Sequence, residues 1–173
     1  MHGDDFTACG PKRELDKFEA MLRFYYELTV GGRLGPGPQD DKEAIVFNRV
    51  IRWTDRGVEY EADPRQVERL LEELELEGDG VKSVVTPGAK VSAHQAQNEK
   101  LLPVGDHTRF RALAARANYL SADRPDCRYA AKEVCRWMSS PTKLGLQSLK
   151  RLARFLVGRP RLVWHYRWQS VEH

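Results

Sequence analysis

Between Phe110 and Gly158 apolar residues recur three times over at the spacing of an α-helix, and this run constrains the chain more than any other feature. Phe110, Leu113, Ala114, Ala117 and Leu120 mark one amphipathic helix. A second begins near Arg124-Pro125-Asp126 and buries Ala130, Val134, Trp137 and Met138. A third is capped by Thr142 after Pro141, carries Leu149, Leu152, Ala153 and Leu156, and ends at Gly158.

The preceding residues alternate in character. After Pro11, Leu15, Phe18, Met21, Leu22, Tyr25 and Leu28 fall at helical spacing. GGRLGPGPQDD is punctuation. EAIVFNRVIRW, rich in β-branched and aromatic residues, reads as one strand; TDRG turns the chain and VEYEA returns it, so residues 45–62 form a β-hairpin. DPRQ then starts a helix over 64–76: Asp63 is the N-cap, Pro64 sits at N1, and Gln66 is placed for a capping box. Val67, Leu70, Leu71 and Leu74 supply its buried stripe, and Gly78 ends it. Residues 79–107, with Pro87 and Pro103 and little periodicity, read as an extended surface crossover. RLVWHYRW reads as a final strand.

Charge is unevenly distributed. From Arg109 to His173 there are 14 Lys and Arg against 4 Asp and Glu, whereas the preceding part carries 14 basic and 21 acidic residues. A polyanion is the partner such a basic helical part suits; the alternative is that the two halves complement each other. Lys150, Arg151 and Arg154 lie opposite Leu149, Leu152 and Leu156, and Trp137, Trp164, Tyr166 and Trp168 add flat aromatic surface, a combination suited to phosphate contact with stacking; the alternative, favoured for Trp137, is that Trp137 is core and the tail aromatics pack an edge strand. No apolar run is long enough to span a bilayer and no signal-peptide pattern opens the chain. Three widely spaced cysteines, Cys9, Cys127 and Cys135, suit a reducing, intracellular compartment better than a disulfide framework.

Several motifs dissolve on inspection. GGRLGPGP lacks the Lys-Ser/Thr pair of a phosphate loop and leads into acidic residues. Cys127 and Cys135 are too far apart along one helix for a shared zinc, and Cys135 reads as a small core residue. No nucleophilic triad stands out. The opening HGDDF is different: Asp4 and Asp5 are either an ordinary acidic turn or half of a metal site. Adjacent strand residues point to opposite faces, so the pair serves one ion only at a bend.

The order of elements that follows bears on the choice. HGDDF, an amphipathic helix, a loop, a hairpin and DPRQVERLLEELEL are followed by FRALAARANYLSADRPDCRYAAKEVCRWMSSPT and LKRLARFLVG. This succession resembles the reverse transcriptase of copia-type retrotransposons, from its Asp-Asp box to the end of the thumb and connection. The resemblance covers nearly the whole chain, and the NYL, SADRPD, WMSSPT and LKRLARFLVG segments are its most specific part. It implies that His2-Gly3-Asp4-Asp5 stands at the family's Tyr-Val-Asp-Asp box, with Asp4 a ligand of Mg2+ (or Mn2+) and Asp5 its neighbour, both catalytic. The hairpin around Val46–Tyr60 would hold the primer terminus. Helix 64–76 and the helices after Thr108 would grip the template–primer duplex. The implied nucleic-acid contacts are Arg49, Arg52 and Trp53 on the hairpin and Arg116, Arg124, Lys132, Arg136, Lys150, Arg151 and Arg154 on the helices.

The expected fold is therefore α+β: a partial polymerase palm of strand, helix and β-hairpin, then a mainly helical thumb and connection. The expected divisions are 1–62, a palm remnant; 63–107, a thumb helix and crossover; and 108–173, a basic helical part with a terminal strand. His2 and Gly3 depart from the family's tyrosine and valine, and the family's fingers and first catalytic aspartate have no counterpart here. The resemblance thus implies no polymerase activity from this polypeptide alone, since one carboxylate box cannot position two metals, a nucleotide and a 3′-hydroxyl. Its implied partners are an RNA/DNA template–primer and the remainder of a Pol polyprotein, with no membrane. A non-catalytic nucleic-acid-binding module and a degenerate retroelement remnant are the competing readings.

Overall fold

A computed structural model describes residues 6–78, 80–92, 94 and 99–169. Helix α1 (Lys12–Tyr25) comes first. Strands β1 (Glu43–Val46), β2 (Arg49–Thr54) and β3 (Gly57–Glu61) form a meander that feeds α2 (Pro64–Glu73). An irregular segment and a short 3-10 turn lead to α3 (His107–Ser121), α4 (Pro125–Cys135) and α5 (Lys143–Gly158). The last strand, β4 (Val163–Arg167), returns to the sheet. All pairings are antiparallel, in the order β1-β2-β3-β4. No helix among the described residues is long and apolar enough to cross a membrane.

The core belongs to the helices. Val67 and Leu70 of α2 meet Phe110, Leu113 and Ala117 of α3, Ala130, Ala131 and Val134 of α4, and Leu149, Leu152, Ala153 and Phe155 of α5. Alanines at these positions let the axes approach closely, and Gly145 serves the same end: a Cβ there would sit 2.9 Å from the Trp137 side chain. The Thr142 cap expected from sequence forms, its side chain accepting from Gly145 N–H at 3.0 Å. Asp63 caps α2 by accepting from Arg65 N–H at 3.1 Å. Gln66 completes no reciprocal capping box; its side-chain amide donates to the Asp63 carboxylate at 3.2 Å instead.

Two expectations need correction. EAIVFNRVIRW is not one strand but two, because Phe47 and Asn48 both take positive φ (50° and 65°) and close a two-residue type I′ turn. Asn suits that conformation; Phe47 does not, which is why the run reads as continuous. Helix α2 stops at Glu73, short of 76 and Gly78, since Glu75 turns left-handed at φ 56°. The stripe on α1 is formed but buries no residue: Phe18, Met21 and Tyr25 remain exposed, and Arg33 holds the following loop to the helix through Asp16 and Glu19.

The glycine-rich segment is a loop, as expected, built around carboxylates. Gly37 N–H donates to Asp40 at 2.7 Å and Arg33 N–H to Asp41 at 3.0 Å, so acidic side chains occupy the amides a phosphate would need.

Where the sheet hands over to the helices, Glu61 is almost fully buried between Arg52 and Arg161. The hydrogen bond from Arg161 and, against the cost of burial, that from Arg52 hold its carboxyl far down, from 4.5 to about 2. A depressed pKa stabilises the fold above the unfolded value and loses that contribution as pH falls through the folded one. The expected outcome is a loss of at most about 3 kcal/mol between pH 4.5 and 2 from this group. Urea denaturation across that range should show the slope in the native chain and a flatter profile in Glu61→Gln; parallel profiles would contradict the assignment.

Candidate nucleic-acid interface

The sequence-derived site residues meet very different fates. Asp4 and Asp5 lie outside the described residues. Arg124 is 1% exposed. Its guanidinium is spent internally, on Asp126 at 2.9 and 3.0 Å and on the carbonyls of Arg159 and Pro160 at 2.8 and 3.1 Å. It ties the start of α4 to the exit of α5 and has no face left for a phosphate, which corrects its assignment as a contact. Arg52 bonds Glu43 and Glu61 at 2.7 and 2.8 Å. Arg116 bonds Gln66 and Glu73, both at 3.1 Å. These arginines are structural ties before they are binding groups.

Arg49 belongs to a larger junction. It bonds Asp123 at 3.0 Å, in the corner between α3 and α4, and lies 5.6 Å over the Tyr119 ring. The same carboxylate accepts from the Tyr60 hydroxyl at 2.6 Å, and the Asp123 backbone carbonyl accepts from the Trp164 indole N–H at 3.0 Å. Residues from β2, β3 and β4 thus converge on one helical corner. Burial, helped by the hydrogen bond to Asp123, pushes the Tyr60 phenol up to about 12. Neither Asp123 nor Tyr60 stands out by periodicity, because their meeting depends on chain segments 63 residues apart.

Of the sequence-derived cations, those that remain available are on the helices. Lys143, Gln147, Lys150 and Arg154 are exposed along α5 at intervals of four, three and four residues, one continuous stripe. Among the described residues none of its three cations has a carboxylate partner. Lys150 and Arg154 are like charges one turn apart, an arrangement that costs stability on an isolated helix and is relieved by a polyanion. The stripe runs about 16 Å, several phosphate spacings of a duplex strand. Arg151 sits aside from it, holding Thr86 and Gly88 at 2.8 and 3.2 Å. On α4 and its C-cap, Arg128, Lys132 and Arg136 form a second exposed row, with Glu133 the neighbouring carboxylate, 2.9 Å from Arg136 and 4.0 Å from Lys132. Lys143 and Arg128 were absent from the sequence-derived set although their helical spacing was readable.

The remaining candidates offer little chemistry. Trp53 is half-buried against Trp168, with ring centroids 4.5 Å apart. Cys127 is buried and its thiol is pushed up to about 12 by burial, which leaves it inert. Among the described residues no group of three or more His, Cys, Asp or Glu is placed to share a metal ion.

Comparison with known proteins gives two matches of modest extent. The chain is 32% identical over 80 residues to the Retrovirus-related Pol polyprotein from transposon RE1 of Arabidopsis thaliana, covering 46% of this chain and 5% of that protein. It is 34% identical over 79 residues to the corresponding polyprotein from transposon RE2 of the same plant, again 46% and 5%. The chain therefore spans about a twentieth of the length of these relatives. No protein-family model and no solved structure matches it.

Removing the Asp123 carboxylate would leave Arg49 and the Tyr60 hydroxyl half-buried without their partner. Asp123→Ala is expected to lower the unfolding free energy by about 2–3 kcal/mol. Combining it with Tyr60→Phe should cost less than the sum of the two single changes. Urea denaturation of the four chains measures both; a loss under about 0.5 kcal/mol, or strict additivity, would contradict the junction.

Proposed function

We propose that this chain is part of an RNA-directed DNA polymerase of a copia-type retrotransposon Pol polyprotein, and that its helical part grips a template–primer duplex. Similarity to retrotransposon Pol polyproteins supports the origin. The observation that carries the binding reading is the cationic stripe Lys143–Lys150–Arg154, without a carboxylate partner among the described residues, on the outer face of a helix whose inner face is locked into the core.

In this reading α1 and β1 to β3 derive from the polymerase palm, and α2 to α5 with β4 from the thumb and connection. Phosphates of the duplex lie against α5, with the row Arg128, Lys132 and Arg136 on α4 a second set of cations. Contacts of this kind position a duplex without reading its sequence, as a polymerase requires. Asp4 and Asp5 would hold Mg2+ or Mn2+, an ion that when bound stabilises the charge of phosphoryl transfer. Two adjacent carboxylates have the right hard-oxygen chemistry for it. In this reading the rest of the catalytic site lies in the remainder of the polyprotein.

Fluorescence anisotropy with a labelled RNA/DNA duplex tests the proposal. Affinity should fall steeply as salt rises. The double variant Lys150→Glu, Arg154→Glu should bind more weakly and lower the magnitude of the log–log salt slope by about 2. No binding at low salt, or an unchanged slope in the variant, would overturn it.

A further inference from the structure

Strand β4 is an edge strand, and its alternate residues Trp164 and Tyr166, with Trp168 just beyond, share one face of the sheet. The register places Trp164 beside Tyr60 and Ile51, and Tyr166 beside Val58 and Trp53. Edge strands of this kind are usually shielded or charged. Here the rings are open: Trp164 is 37%, Tyr166 57% and Trp168 46% exposed.

They are also fixed. The Trp164 indole donates to the Asp123 carbonyl at 3.0 Å and the Trp168 indole to the Thr54 carbonyl at 3.2 Å. Trp168 rests on Trp53 as well. Both N–H groups are thereby satisfied by protein while the rings stay partly exposed, Trp168 with one side against Trp53 and Trp164 beside Tyr166. Trp164 and Tyr166 are nearly parallel, 8° between planes, with centroids 6.4 Å apart. A ring held this way has little conformational freedom to lose when something flat settles on it.

The other side of the same strand is charged. A cavity of about 250 Å³ is lined by Thr54, Arg56, Glu59, His165, Tyr166 and Arg167. Glu59 is engaged with His165 at 3.4 Å, whereas among the described residues Arg56 and Arg167 have no carboxylate partner. Tyr166 belongs to both the cavity wall and the aromatic row. The strand thus combines flat apolar surface with guanidinium groups around its edge that have no carboxylate partner among the described residues.

We propose that β4 is a binding rail for single-stranded nucleic acid: unpaired bases stack on Trp164, Tyr166 and Trp168, and the phosphates follow Arg56 and Arg167. Stacking tolerates any base, since each presents a π-face, and charge complementarity fixes the backbone side. The inference rests on the chain being a nucleic-acid binder but uses a surface and a form of nucleic acid distinct from the duplex on α5, so the two can fail separately.

The test uses the full chain with a labelled oligo(dT) and a blunt duplex. Adding oligo(dT) should quench tryptophan fluorescence. Tyr166→Ala should weaken oligo(dT) binding about tenfold and leave duplex binding within twofold, while Tyr166→Phe, which keeps the ring, should retain it. Lys150→Glu with Arg154→Glu should do the converse. If oligo(dT) binds and the duplex does not, the rail stands and the α5 reading falls. Oligo(dT) affinity unchanged by Tyr166→Ala, lost equally on the α5 variant, or lost in Tyr166→Phe would overturn the rail. So would the absence of quenching with sedimentation showing a dimer that Tyr166→Ala dissolves, because the face would then be covered by a second copy.

Discussion

One carboxylate, Asp123, decides how the two parts of this molecule sit together. Apolar burial holds α2 to α5 as a bundle, but it is non-directional and almost absent from the sheet, whose strands are half-exposed on both faces. Orientation must come from contacts with geometric demands. Arg49, Tyr60 and Trp164 all end on Asp123, and Arg52 and Arg161 end on Glu61 at the neighbouring strand exit. Each group is partly desolvated, so each has more to lose by leaving its partner than an exposed pair would. A bundle and a sheet that share little core are therefore held in one relative position by a few polar bonds.

That constraint organises the functional reading. The cations engaged in these ties, Arg49, Arg52 and Arg124 among them, are removed from the surface supply, and the proposed binding would rest on residues that have no carboxylate partner among the described residues. On α5 these are Lys143, Lys150 and Arg154; on the sheet they are Arg56 and Arg167 beside the pinned indoles. Because the indole of Trp164 is fastened to the corner that also fastens Arg49, the aromatic face and the cationic stripe keep a set spacing. A chain that handled paired and unpaired nucleic acid on one rigid body would need such a spacing.

Much of this was legible in the sequence where local rules apply. The three helices after Thr108 follow from 3.6-residue periodicity, the Asp63 and Thr142 caps from side chains that cap amides, and the terminal strand from its aromatic, strand-forming run. The glycine-rich loop was readable because acidic residues follow it. What was hidden depends on backbone choices that composition does not encode, such as Phe47 in a left-handed turn, or on distant meetings, such as Tyr60 with Asp123. Arg124 shows the same limit from the other side: by type it is a phosphate contact, and only its burial reveals a tie between α4 and the exit of α5. The α1 stripe was read correctly as amphipathic, yet a pattern alone does not say what covers it.

Native-state hydrogen exchange tests the central claim, that polar bonds at Asp123 and Glu61 make sheet and bundle one cooperative unit. The amides of β2 to β4 are predicted to open with the same free energy as those of α3 to α5. A sheet that opens separately, several kcal/mol more easily than the bundle, would contradict the account.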